Sequence, residues 1–181
     1  MRTRLSTESD LDAIDAVHRD AFGPVEGPEV TDLVAGLLTD ETARPYLSLV
    51  AESDQGLSGH ILFTAARIGS RGHAPVASIL APLGVTRESQ GQGVGGLLAR
   101  EGLGLLADRG VEVVFVLGHP SYYPRFGFQP AGARGFQAPY PIAEKNADAW
   151  MVKEMTPGAI GRFAGTVVCA SVLMDPEHWR E

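Results

Sequence analysis

Gly91, Gly93, Gly95 and Gly96 fall within six residues, directly behind Gln90 and an apolar, strand-like run from Val76 to Val85. After them Leu97, Leu98, Leu103, Leu105 and Leu106 take a helical spacing. A helix that opens in glycines lets its backbone approach a ligand closely, and the unpaired N–H groups of its first turn, backed by the helix dipole, attract an anion. The chemistry expected here is phosphate binding. Gly91-Gln92-Gly93-Val94-Gly95-Gly96 also satisfies the dinucleotide pattern G-x-G-x-x-G, but its surroundings oppose that use. The acidic residue wanted at the far end of the next strand is missing: Glu112 stands at its start and Gly118-His119 at its end. Hairpin strands precede the turn where a βαβ series is wanted, and the linker Thr86 to Gln90 is long for so tight a turn. No Gly-Lys-Ser/Thr follows to make a P-loop.

The elements that must position this turn can be read in chain order. Met1 to Leu5 reads as a strand, and Ser6 or Thr7 with Ser9 or Asp10 offers a cap for a helix from Leu11 to Phe22. Gly23-Pro24 and Gly27-Pro28 read as two breakers, and Glu29 to Leu38 resumes the helical pattern. The turn between these helices carries Glu26 and Glu29, read either as a solvated helix start or as a loop that recognises a cation. Tyr46–Glu52 and Gly59–Ile68 are strands joined by the hairpin Ser53-Asp54-Gln55-Gly56, and the Arg67–Pro75 turn leads into the strand Val76–Val85. A helix ending at Asp108-Arg109-Gly110 then feeds the strand Val111–Leu117, which a right-handed connection places parallel to Val76–Val85. Pro120 and Pro124 confine any helix that follows to about one turn. The proline-rich stretch 129–146 is expected to be an irregular surface excursion within a C-terminal part, 129–181. Ala149–Met155 and Thr166–Leu173 read as closing strands, with a short helix between them.

Taken together, these elements resemble the GNAT N-acetyltransferase superfamily. Its signature Gln/Arg-x-x-Gly-x-Gly/Ala after the fourth strand is matched by Gln90-Gly91-Gln92-Gly93-Val94-Gly95. Its tyrosine, followed after three residues by Gly-Phe beyond the fifth strand, is matched by Tyr123-Pro124-Arg125-Phe126-Gly127-Phe128. The strand–helix–strand unit between the motifs is also the right one, and the resemblance spans roughly Met1 to Phe128. It implies an α/β (α+β) fold in one domain, 1–181: a mixed, mostly antiparallel sheet splayed between strands 4 and 5 and flanked by helices. It implies acetyl-CoA as cosubstrate, with the pantetheine arm along Leu83, Gly84 and Val85 and the pyrophosphate on the amides of Gln90, Gly91, Gln92, Gly93, Val94, Gly95 and Gly96. Pro82 agrees independently, because a proline in a central strand is harmless where the neighbouring strand has splayed away; a simple bulge is the other reading of Pro82 and Gly84. Arg87, Arg100 and Arg125 are candidate phosphate contacts, or solvated surface charges.

The activity implied is direct transfer of the acetyl group to a primary amine of a small molecule or a protein. An amine attacks a thioester only when neutral, and a lysine-like amine with a pKa of ~10.4 is mostly protonated at neutral pH, so a proton must be removed. Tyr123 matches the family's general acid for the departing thiolate; packing under the Gly127-Phe128 turn is the other role open to it. The strand Ala77-Ser78-Ile79-Leu80-Ala81 carries no carboxylate where many members place a glutamate. His119 is the first candidate base, because imidazole suits proton transfer near neutral pH, and Glu29 and Glu26 follow. A histidine bonded within its turn, and deprotonation by water, are the plainer alternatives. Gly118-His119-Pro120-Ser121 also lacks the family's asparagine, so that cofactor contact does not carry over. With no evident base, the alternative function is an acyl-CoA-binding regulatory module that kept the cleft and lost turnover.

Composition sets the outer bounds. A formal charge of −7 disfavours a broad nucleic-acid surface and mildly favours cationic substrates. A single cysteine, Cys169, excludes an internal disulfide and reads as a small buried hydrophobe. The first residues lack the apolar core of a signal peptide, and no run approaches the ~18 apolar residues of a membrane span, so a cytoplasmic protein without a membrane partner is expected. His18, His60, His73 and His178 share no ligand spacing, so no metal is expected, and no Gly-x-Ser-x-Gly elbow supports a serine hydrolase. Edge strands in the tail offer a pairing surface for a homodimer.

Overall fold

The computed structural model describes residues 1–69 and 74–180. Strand β1 (Arg2–Leu5) leads into helix α1 (Leu11–Thr39), and β2 (Leu47–Ser53), β3 (Gly56–Ile68) and β4 (Ala77–Val85) follow. Each pairs antiparallel with its neighbour in the order β1-β2-β3-β4, and the β2–β3 hairpin closes at Ser53 opposite Gly56. Helix α2 (Val94–Asp108) crosses over to β5 (Val113–Leu117), which lies parallel to β4 as expected for a strand–helix–strand unit. The chain ends through β6 (Gln129–Pro130), β7 (Phe136–Gln137), β8 (Trp150–Glu154), α3 (Ala159–Arg162) and β9 (Gly165–Val168). β8 pairs antiparallel with β5 and carries β6 on its other side, while β9 joins the end of β3 to β7.

The decisive register is that of β4. Its ladder with β5 covers only Ala77 to Leu80, opposite Val113 to Val116, so Ala81 to Val85 have no strand on that side. On the β3 side the register slips between Ile61, opposite Leu83, and Phe63, opposite Leu80, leaving Ala81 and Pro82 against Leu62 alone. Pro82 therefore sits at a bulge and at the opening together, so the two sequence readings describe one feature.

The two faces of the sheet are covered differently. Leu47, Leu49, Ile61, Phe63, Leu80, Val114 and Val116 pack against Val94, Leu98, Leu103 and Leu106 of α2. On the opposite face Leu62, Ile79, Val113, Phe115 and Trp150 meet Leu37 of α1 and the C-terminal residues Leu173 and Trp179.

Three sequence expectations are corrected. Gly23, at φ 75° and ψ −173°, does break α1, but Gly27-Pro28 does not. Helix resumes at Pro24, whose missing N–H costs nothing in a first turn, and Gly27 is needed because a Cβ there would lie 3.1 Å from the Arg19 Cα across the bend. Glu26 and Glu29 accordingly sit on helix and not on a loop. The stretch 129–146 is only partly a surface excursion: β6 and β7 extend the sheets, and Ala131 and Phe136 are fully buried. The last strand stops at Val168, and Ser171–Met174 is a tight turn that turns Leu173 into the core. Of the expected Arg67–Pro75 turn, Arg67 and Ile68 belong to β3 and residues 70–73 lie outside the described residues.

Candidate active site

Where β4 and β5 part, a cavity of about 750 Å³ opens. Leu80 to Val85 form one wall, Ser89 to Gly91 and Gly93 to Gly96 the second, and Leu117 to His119 with Tyr122 and Tyr123 the third. Ala21 and Phe22 of α1, just before the Gly23 kink, complete it. Of Leu83 to Val85 and Gln90 to Gly96, singled out for the pantetheine arm and the pyrophosphate, all but Gln92 line this space; the Gln92 side chain turns back to donate to the Glu88 carbonyl at 2.8 Å. Gln90, the fixed polar residue of the motif, donates through Nε2 to the Val85 carbonyl at 3.0 Å, tying the glycine turn to the end of β4.

The glycine turn is shaped as an anion cradle. Gly91 and Gly93 have positive φ, 74° and 83°, and a Cβ on either would meet nothing within 4 Å, so both face open space at the helix start. A Cβ on Gly95 would lie 2.7 Å from the Tyr122 hydroxyl, which therefore reaches over the first turn of α2. Arg100 and Arg125 add positive charge to the walls; the Arg125 guanidinium lies 4.5 Å from the centre of the Tyr122 ring. Arg87 faces elsewhere: its Nη2 lies 2.7 Å from where a Gly23 Cβ would stand, and its backbone N–H donates to Asp20 Oδ2 at 2.6 Å, bracing the kink of α1 against the loop before the turn.

Tyr123 is buried, and its ring lies so close above Gly118 that no Cβ fits there. Burial first, and the neighbouring Tyr122 second, hold its hydroxyl well above the usual phenol range. It is therefore protonated at neutral pH, as a proton donor must be. His119 stands exposed at the rim. Its Nδ1 accepts from the Ser121 N–H at 3.3 Å and lies 2.8 Å from Ser121 Oγ, so the acceptor nitrogen of the neutral ring is engaged within its own turn.

Glu29 lies elsewhere. With Glu26, Val30 and Leu33 of α1 it lines a second cavity of about 500 Å³ on the α1 face of the sheet, closed by Leu173 and by Glu177 to Arg180. Its Oε1 is 3.6 Å from His178 Nδ1. Phe22, Leu80, Ala81 and Leu117 line both cavities, which thus meet where the β4–β5 ladder ends. The contribution of Glu177 to Arg180 has no signal in the sequence, since it depends on the tail folding back against α1. Lys145 and Asn146 of the stretch 129–146 line neither cavity; they border a third, with His119 and Asp148. Among the described residues no three His, Cys, Asp or Glu side chains cluster to hold a metal, and no helix is long and apolar enough to cross a membrane.

These features can be set beside known proteins. The model of the acetyltransferase (GNAT) domain matches residues 2–131. The N-acetyltransferase YjhQ of Escherichia coli (strain K12) is 46% identical over 175 residues, covering 96% of this chain and 92% of that protein. YhbS of the same organism is 32% identical over 170 residues, 92% of this chain and 95% of that one. The crystal structure of E. coli YhbS in complex with CoA superposes with a TM-score of 0.84 at 28% identity, covering 95% of this chain and 91% of that one. A GNAT family acetyltransferase from Brucella melitensis in complex with acetyl-CoA gives 0.74 at 29% identity, covering 95% and 97%. With the family model spanning most of the chain, and relatives at 46% and 32% identity over nearly all of it, this chain belongs to the GNAT family of acetyltransferases.

Proposed function

We propose that the protein transfers the acetyl group of acetyl-CoA directly to a primary amine, small-molecule or protein-borne, that enters from the second cavity, which is then the acceptor side and the first the cofactor side. The observation that carries this reading is the meeting of two cavities of opposite electrostatic character at the last β4–β5 pair. Glycine amides, Arg100 and Arg125 line one side; on the other Glu26, Glu29 and Glu177 outnumber the single guanidinium of Arg180, which lies 3.6 Å from Glu177, with His178 3.6 Å from Glu29. The first suits a polyphosphate and the second a cation. The two relatives solved with CoA or acetyl-CoA support the same assignment of the first cavity.

Acetyl-CoA supplies an activated thioester. The fit is good, because the open edge of β4 from Leu83 to Val85 leaves backbone groups free to pair with an extended pantetheine arm, and the amides from Gly91 to Gly96 can take the pyrophosphate. Backbone N–H groups on that edge would also stabilise the negative charge that develops on the carbonyl oxygen. Tyr123, held protonated, donates to the departing sulfur. The described side chains place no carboxylate or free imidazole acceptor inside the cofactor-side cavity, so the amine proton leaves by water or toward the glutamates of the acceptor side.

The test is thiol release from acetyl-CoA with a panel of amines, together with calorimetric binding of acetyl-CoA. Turnover with a cationic amine that falls about 10²-fold in Tyr123→Phe, with acetyl-CoA affinity kept, is the expected result. Absence of acetyl-CoA binding overturns the assignment of the first cavity, and an unimpaired phenylalanine variant removes Tyr123 as the acid.

A further inference from the structure

His18 of α1 and His60 of β3 are fully buried, and the chemistry assigned above uses neither. His18 Nε2 lies 2.7 Å from His60 Nδ1, His60 Nε2 lies 2.9 Å from Ser48 Oγ, and Ser6 Oγ donates to Ser48 Oγ at 2.6 Å. This chain of hydrogen bonds runs inward from β1 and ends at His18 Nδ1, which is buried without a partner. That nitrogen sits directly on Gly84: a Cβ there would lie 2.6 Å from Nδ1 and 2.8 Å from the ring carbon Cε1. His60 and Gly84 are register partners on β3 and β4, so both histidines attend the same point of the strand. The His18 ring also stacks on Phe22, with centroids 5.9 Å apart and planes at 28°. Phe22 is one of the residues that line both cavities.

A bare glycine offers a neighbouring side chain nothing to interlock with. An imidazole bonded through Nε2 to His60 has its ring rotation restrained by that bond in addition to packing, a restraint that an apolar side chain over Gly84 would lack. We infer that His18 is a positioning residue: pinned by His60, its ring fills the space left by the missing Gly84 side chain, and so fixes both the open edge of β4 and the Phe22 wall where the two cavities meet. The inference rests on the placement of acetyl-CoA along Leu83–Val85 proposed above. Gly84 is then required for room on the helix side as much as for backbone access on the cofactor side.

Calorimetric titration with acetyl-CoA, with unfolding curves recorded in parallel, tests this in the full chain. His18→Ala is expected to weaken binding by about tenfold or more, and His18→Gln, which keeps an amide for His60, to recover part of the loss. Ile14→Ala, on the same helix as His18, is the control, since it opens a hole against Val34 of α1 and Val50 of β2; it should destabilise the fold yet change affinity by less than about twofold. Gly84→Ala should also weaken binding, because its methyl collides with the ring, and the His18→Ala/Gly84→Ala double variant should bind more tightly than Gly84→Ala alone. His18→Gln and Gly84→Ala carry the test if His18→Ala does not fold. Wild-type protein that binds acetyl-CoA, with affinity unchanged in the His18 variants or with losses that simply add in the double variant, overturns this inference alone. Wild-type protein that does not bind overturns the proposed function and this placement together.

Discussion

Moderate acid should weaken the fold through the buried imidazoles, well before the carboxylates titrate. Burial lowers His18 and His60 below the ordinary imidazole value, His18 to about 4; for His60 the neighbouring imidazole adds to burial, while Asp15 and Asp10 oppose the shifts. The unfolded chain takes up both protons as pH falls through ~6.5, and the folded protein does not until pH is much lower. Their contribution is therefore complete above ~6.5 and is lost as pH falls toward 4. Between about pH 7.5 and about pH 5 each imidazole accounts for ~2 kcal/mol, so the pair removes roughly 4 kcal/mol. That is a large share of the ~5–15 kcal/mol available to a domain. Asp10, whose bidentate bond to Arg4 holds it below the usual carboxylate range, works in the opposite sense, but its loss begins only as pH falls below ~4. Urea unfolding at the two pH values measures the effect directly, and His18→Gln should remove about half of the pH slope. Equal stability at both values, or imidazole NMR signals of His18 and His60 that titrate near ~6.5, would refute the reasoning.

Other outcomes follow from contacts already described. Gly118→Ala should cut turnover about as much as Tyr123→Phe while leaving acetyl-CoA affinity within about threefold, because the added methyl displaces the Tyr123 ring; full activity in a steady-state assay would count against the placement of Tyr123. Gly95→Ala should weaken acetyl-CoA binding by about tenfold in calorimetry, since its Cβ would push the Tyr122 hydroxyl off the first turn of α2. Gly102→Ala, which lines neither cavity, should cost ~1–3 kcal/mol of stability by overpacking against the Phe63 ring, without changing acetyl-CoA affinity. Burial pushes the Cys169 thiol up to about 12, so it should resist a thiol reagent at neutral pH in the native protein and react once urea unfolds the chain.

What the sequence determines here is local. Strand pattern, the glycine turn and the strand–helix–strand spacing depend on residues close in the chain, and they locate the anion cradle at Gln90–Gly96 and the companion tyrosine at Tyr123. Pro82 even marks the opening, because a missing N–H restricts where a strand can run. The α1 bend shows how far such reading reaches. Gly23 breaks the helix through its own φ, which is a local property, whereas Gly27 answers to the Arg19 backbone across the bend, so two similar Gly-Pro pairs behave differently. The second cavity lies wholly beyond local pattern, since Glu26 and Glu29 acquire their setting only when Glu177 to Arg180 fold against them from the far end of the chain. The same holds for His18 over Gly84: nothing in either segment announces the other, and their meeting depends on how α1 crosses the sheet. Short-range chemistry thus placed the glycine turn, and long-range packing decided what surrounds the end of the β4–β5 ladder, because the shape of a cavity belongs to segments that only the folded chain brings together.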